Sequence, residues 1–145
     1  MLDSTGTKLT IDTKVTGKLK KAYPIDLDSI FNNLLLNSID AFLRKDSSNT
    51  RTIRISFTEE KSGLGIIYED SGPGLMPDIK RPELIFEPFF TTKKKGENDI
   101  GIGLGMWILK STIEQYNGYV EILNARPGFK VKLFFPKYSN WNNYE

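Results

Sequence analysis

Only two stretches of this chain carry a helical period, while about five carry the two-residue alternation of strands. That ratio narrows the fold more than any other feature. A doubly wound parallel sheet needs a helix between each pair of strands, and the chain has too few. What remains is an α/β (α+β) two-layer sandwich: a mixed, mostly antiparallel sheet covered on one face by helices.

The elements run strand, helix, hairpin, long loop, helix, hairpin. Leu9, Ile11, Thr13 and Val15 fall on one side of a period-two pattern and predict a first strand. Asp26 and Asp28, just after Pro24, suit a helix cap or first turn. From Leu27 to Arg44 the period is helical, with Leu27, Ile30, Phe31, Leu34, Leu35, Ile39 and Phe42 on one apolar arc. Asn33, Asn37, Asp40 and Arg44 form a separate stripe at spacings of three and four. Ile53, Ile55 and Phe57 alternate with polar residues, and Leu64 to Tyr68 returns as an apolar strand. With Ser62-Gly63 as the turn, they predict a hairpin. Leu75 to Ile100 predicts a long loop holding one short helix around Glu83, and loops of that length are usually functional or disordered. Met106, Ile108, Leu109 and Ile113 predict a second helix ending near Tyr116, stopped by Asn117-Gly118. Tyr119–Asn124 and Phe129–Phe135 complete a last hairpin around Arg126-Pro127-Gly128. No repeat or linker interrupts the 145 residues, so one domain over 1–145 is expected, with 139–145 a loose tail.

The chain has no histidine and no cysteine. Within it there is no thiol nucleophile, disulfide, thiolate metal site, imidazole base or Ser-His-Asp triad. Acid–base or metal chemistry must use carboxylates, amides, hydroxyls, lysines or backbone. A net charge of +2 gives no case for nucleic acid as a partner. No apolar run approaches the ~18 residues of a membrane span, and the N-terminal stretch lacks a signal peptide's apolar core. A cytoplasmic domain without direct membrane contact is expected.

Four local features carry chemistry. Asn33 and Asn37 place two hard amide oxygens one helical turn apart, a donor type that suits Mg²⁺. Taken alone, the pair is better read as a solvated helix face. Asp70 ends a strand and enters Ser71-Gly72-Pro73-Gly74, where a carboxylate can accept from an exocyclic amine. An ordinary turn has the same composition. Gly101-Ile102-Gly103-Leu104-Gly105 opens a helix, and helix N-termini offer free N–H groups to phosphate. It is neither a P-loop nor a dinucleotide fingerprint, since no Lys-Ser/Thr follows and no strand precedes it. Thr91-Thr92-Lys93-Lys94-Lys95 adds hydroxyls and ammonium groups just upstream. Phe86, Phe89 and Phe90 either seal a lid or anchor the loop, with anchoring the better reading for Phe86.

In this order and spacing the four features resemble the nucleotide-binding domain of the GHKL superfamily, which includes gyrase, a large heat-shock chaperone and histidine kinases. The run from Asn33 through Asn37 to Ala41 resembles the N box, and Asp70-Ser71-Gly72-Pro73-Gly74 the first glycine box. Phe86-Glu87-Pro88-Phe89-Phe90-Thr91-Thr92-Lys93 is similar to the phenylalanine box of nitrogen-regulatory-type sensor kinases. Gly101 to Met106 resembles the second glycine box. The resemblance runs from about Leu9 to Pro136.

It implies the Bergerat fold with a mobile ATP lid, and ATP with Mg²⁺ as cofactors. Asn37 would coordinate the metal, with Asn33 beside it. Asp70 would accept from the adenine amine, and Gly72 and Gly74 would shape the adenine pocket. Gly101, Gly103 and Gly105 would wrap the phosphates, Lys93 would contact them, and Phe90, Thr92 and Leu104 belong to the same binding set. Hydrolysing members carry a glutamate where Asn33 stands, so the resemblance favours phosphoryl transfer over hydrolysis. Many sensor kinases carry a basic residue where Asp40 stands, so one phosphate contact is either missing or supplied by Arg44 or Lys93. The stretch from Lys93 to Gly101 is longer than in compact members, and the usual Gly-Thr is replaced by Gly128-Phe129. The implied activity is an ATP-dependent protein histidine kinase, whose acceptor histidine lies on a separate dimerisation domain and whose response regulator is an indirect partner. The isolated domain is expected to be monomeric. A stand-alone nucleotide-sensing module and a serine kinase of the same fold stay open beside it.

Overall fold

The computed structural model describes residues 6–12, 22–44, 50–91 and 103–137. Expectations for Thr13, Val15, residues 47–49, residues 92–102 and the tail 139–145 lie outside those residues.

Strand β1 spans Thr7–Asp12 and helix α1 Pro24–Arg44. The hairpin strands β2 and β3 span Arg51–Glu60 and Gly63–Asp70. A short 3₁₀ helix, Pro82–Phe86, sits where one was expected around Glu83. Helix α2 covers Gly105–Gln115, and strands β4 and β5 cover Tyr119–Asn124 and Phe129–Pro136. The strands form one sheet in the order β1-β2-β3-β5-β4. Only β1 and β2 run parallel; the other pairs are antiparallel. The fold is the two-layer α/β sandwich with a mixed sheet that the element count requires.

Alternation decides which face is covered. Ile66, Tyr68 and Asp70 share one face of β3. In register with them lie Phe57, Ile55 and Ile53 on β2, and Leu133, Val131 and Phe129 on β5. Helix α1 places Ile30, Leu34 and Phe42 on that face, and α2 places Met106, Leu109 and Ile113. Leu109, Ile113, Val131 and Leu133 are wholly buried. Full burial of such side chains stabilises by about 1.5–3 kcal/mol each before entropy is counted. The other face carries charge instead: Arg54, Glu69 and Lys130 sit side by side on β2, β3 and β5.

The first strand forms, with Leu9 and Ile11 37% and 51% exposed because β1 is the sheet's edge and lies outside the main hydrophobic cluster. Two expectations shift. Helix α1 begins at Pro24 rather than Leu27, since proline's fixed φ and missing N–H suit a first helical position. The hairpin turn is Lys61-Ser62, and Gly63 opens β3. A Cβ at Gly63 would lie 2.2 Å from the Phe135 carbonyl oxygen, so only glycine fits this close strand approach.

The stop at Asn117-Gly118 is as expected. Asn117 has φ +55°, its N–H donates to Glu114 O, and Gly118 N–H donates to Ile113 O. Beside that stop, the Tyr116 hydroxyl donates to the Asp26 carboxylate and accepts from Tyr23 N–H at 3.1 Å, tying the end of α2 to the start of α1. Its ring meets Phe135 edge-on at 5.8 Å. Burial, with the Asp26 hydrogen bond second, pushes the Tyr116 hydroxyl from about 10 up to about 12. A pKa raised by folding contributes stability that is whole below the unfolded value and lost as pH rises through the folded one. Urea denaturation should therefore show the protein losing stability between pH 10 and pH 12. Tyr116→Phe should be weaker at pH 8 and lose less over that window; an identical alkaline loss in both proteins would refute the coupling.

Candidate functional site

The site is built where β3 ends and the chain turns. Asp70 is the last residue of β3 and is 5% exposed, so its carboxylate must find donors within the protein. It has two. Gly72 N–H reaches Asp70 Oδ1 at 2.9 Å, and Ser38 Oγ donates to Asp70 Oδ2 at 2.6 Å. Ser38 also contacts the Tyr68 hydroxyl at 2.8 Å, and Tyr68 reaches the Leu34 carbonyl at 3.3 Å. Burial pushes the Tyr68 hydroxyl well above its usual range, so it is a donor at any ordinary pH.

The turn after Asp70 is sewn to the β4–β5 turn. Gly128 N–H donates to Gly72 O and Leu75 N–H to Ala125 O, both at 2.8 Å. Gly74 has φ +78°, and a Cβ there would lie 2.3 Å from the Ala125 carbonyl oxygen. Both the dihedral and the space demand glycine. Arg44 donates to the Gly74 carbonyl at 2.9 Å. This guanidinium therefore braces the turn, which explains its place at the end of α1 without a phosphate. Phe42 lines the same corner, its ring atoms 3.4 Å from a Cβ placed on Gly72.

Across from the turn, α1 carries the two asparagines. Asn33 Nδ2 donates to Ser29 O at 2.9 Å, which leaves its Oδ1 pointing toward α2. That oxygen would stand 2.8 Å from a Cβ on Gly105, so Gly105 is the gap that admits it. Asn37 is exposed one turn further along. Amide oxygens of this kind fit a hard divalent cation that keeps waters and phosphate oxygens as its other ligands. Among the described residues no cluster of three or more acidic side chains offers an alternative metal cage.

Helix α2 starts at Gly105 with Leu104 as N-cap, without a side-chain cap bond and without an acidic residue in its first turn. Its leading N–H groups are therefore free to meet an anion. Gly103, at φ +75°, lets the backbone of Phe89 and Phe90 approach; a Cβ would sit 2.6 Å from the Phe90 carbonyl oxygen. Of the three phenylalanines, Phe86 is in the core, Phe89 is 72% exposed and Phe90 is half-buried. The anchoring role read for Phe86 holds.

The structure sets Asn33 against Gly105 and Phe90 against Gly103, and further along the same helix α1 it sets Ser38 and Phe42 against Asp70 and Gly72, and Arg44 against Gly74. Thr92, Lys93 and Gly101 lie outside the described residues. Ser38 and Tyr68 escaped the sequence reading. Ser38 stands on the i, i+4 line Ile30–Leu34–Ser38–Phe42, where a polar residue among core positions was the available signal. A substitution of Gly74 by alanine should destabilise the fold by more than 1 kcal/mol, read as a drop in Tm, with Gly6→Ala as a control at an open positive-φ site. Equal effects at the two glycines would show that the turn–turn contact contributes nothing.

A buried carboxylate at a strand end, glycine turns around it and an uncapped helix beginning beside Asn33 mark this two-layer α/β sandwich. The comparisons agree with that class. The family described as "Histidine kinase-, DNA gyrase B-, and HSP90-like ATPase" matches residues 22–139, and the chain belongs to it. Sensor histidine kinase CpxA of Escherichia coli is 30% identical over 117 residues, covering 79% of this chain and 24% of that protein. The C4-dicarboxylate transport sensor protein DctB of Rhizobium meliloti is 32% identical over 111 residues, 75% of this chain and 16% of that one. The chain therefore spans about a quarter or less of these relatives. Among solved structures, the catalytic domain of histidine kinase ThkA superimposes with a TM-score of 0.70 at 25% identity, covering 91% of this chain and 81% of that one.

Proposed function

We propose that this domain binds Mg-ATP at the end of the sandwich and donates the γ-phosphoryl group to a histidine on a separate dimerisation domain, in two-component signalling. The observation that carries the reading is the Asp70 carboxylate. It is buried, fixed by two donors, and set in the same end of the fold as the α1 amides and the free N-terminus of α2. The matched family and the sensor-kinase relatives support the same reading.

In this reading residues 1–145 act as one catalytic unit. Asp70 accepts a hydrogen bond from the adenine 6-amino group, and Gly72 and Gly74 let the base come close to the backbone. The amides of Gly103, Leu104 and Gly105 receive the phosphates, as helix N-termini do. Lys93, Thr92 and Gly101 join them by their place in the sequence, and Phe90 closes over the nucleotide. Asn37 would hold Mg²⁺, with Asn33 beside it, and the metal would spread the charge that develops on the phosphoryl group. The protein supplies position and electrostatics. The bond between the γ-phosphorus and its bridging oxygen breaks, a P–N bond forms to the acceptor imidazole, and ADP leaves. Asn33 cannot take a proton from water, which favours transfer to a protein side chain over hydrolysis. The chain has no histidine, so the acceptor lies elsewhere, and a response regulator would receive the phosphoryl group next. Among the described residues no helix is long and apolar enough to cross a membrane; the domain is proposed to act in the cytoplasm.

Calorimetry with Mg-ATP tests the assignment. Asn37→Ala should abolish Mg²⁺-dependent binding, and Asp70→Asn should weaken binding at least tenfold, the loss of a charge-assisted hydrogen bond. Unchanged affinity in both variants would overturn the reading.

A further inference from the structure

We infer that Ser38 is a positioning residue for base recognition: its hydroxyl fixes the Asp70 carboxylate in the rotation that presents a free lone pair to an exocyclic amine. This rests on the reading that Asp70 receives the adenine 6-amino group.

The geometry gives the hydrogen bonds a direction. A carboxylate only accepts, so Ser38 uses its single proton on Asp70 Oδ2 at 2.6 Å. The 2.8 Å contact between Ser38 and Tyr68 then needs the Tyr68 proton, and the 3.3 Å contact to Leu34 O is secondary. The chain runs Tyr68 to Ser38 to Asp70. Ser38 is 2% exposed and Asp70 5%, so water does not readily replace either partner. Gly72 N–H holds the other oxygen at 2.9 Å. A carboxylate held at one oxygen alone can still rotate about its own axis; held at both, it cannot.

Among the described residues, Ser38 is the side chain that donates to this carboxylate. Phe129 is the β5 residue in register with Asp70 on the covered face, and it brings no polar atom. Phe42, on the next turn of α1, is likewise apolar. The hydroxyl must come from α1, and Ser38 is the α1 residue that supplies it. Its neighbour Asn37 is exposed, and in the proposed reading it serves the metal and phosphates. Loss of the Ser38 hydroxyl leaves Tyr68 its Leu34 acceptor and Asp70 its Gly72 donor, so Asp70 Oδ2 is the one atom that loses its partner.

The test compares ATP with purine riboside triphosphate, which lacks the 6-amino group, by calorimetry on the whole chain with Mg²⁺. Wild type should prefer ATP. Ser38→Ala should weaken ATP binding about tenfold and leave the affinity for the analogue unchanged, so that the preference collapses. Ser38→Thr, which keeps the hydroxyl, should restore it. A merely structural role would weaken both nucleotides equally. Preference retained in Ser38→Ala, or lost equally from both variants, overturns the proposal. A wild-type protein that binds both nucleotides alike overturns instead the assignment of the amine to Asp70.

Discussion

Burying the Asp70 carboxylate requires donors, and most of the site is arranged around providing them. Desolvating a carboxylate without partners is among the most unfavourable events in folding. Here one donor is a backbone N–H from the turn that follows, and the other is a side chain from a helix on the neighbouring layer. The first fixes the turn and the second fixes the helix relative to the sheet. The same carboxylate that a ligand would meet is thus a joint between the two layers.

The rest of the architecture keeps that joint in place. The glycine turn after Asp70 is held from below by the β4–β5 turn and from the side by Arg44. At the other end of α2, Tyr116 ties the helix to Asp26 and Tyr23 on the approach to α1. With both helices fixed against the covered face, the gap at Gly105 meets Asn33 at the uncapped start of α2. Where side chains are absent, the chain elements touch through backbone at Gly74 and Gly103, and at Gly105 the Asn33 side chain fills the space. A methyl group at any of these positions would push them apart.

Much of this was legible in the sequence, for identifiable reasons. Period decided the elements: the arc from Ile30 to Phe42 and the alternation from Ile53 to Phe57 are local signals that tertiary packing reinforces. Asn117-Gly118 worked as a stop because its conformation is a property of the residue itself. The two motif glycines of the Asp70 turn and the asparagine pair were visible because their spacing is short. Positions decided by distant partners were not legible. Leu9 and Ile11 have a strand's pattern, but exposure depends on which strand lies at the edge. Gly63 had the composition of a turn, yet the approach of β5 decided its role. Ser38 owes its role to Asp70, a strand residue 32 positions away that no local pattern reveals.

The central claim is that one end of this sandwich, from Asp70 to the N-terminus of α2, receives Mg-ATP. A nitrogen–proton NMR titration of the whole chain tests it most directly. The account predicts that the largest shifts on adding Mg-ATP fall on the amides of Gly72, Gly74 and Gly103 to Gly105, with the charged open face at Arg54, Glu69 and Lys130 unmoved. No shifts, or shifts concentrated on that open face, would contradict it.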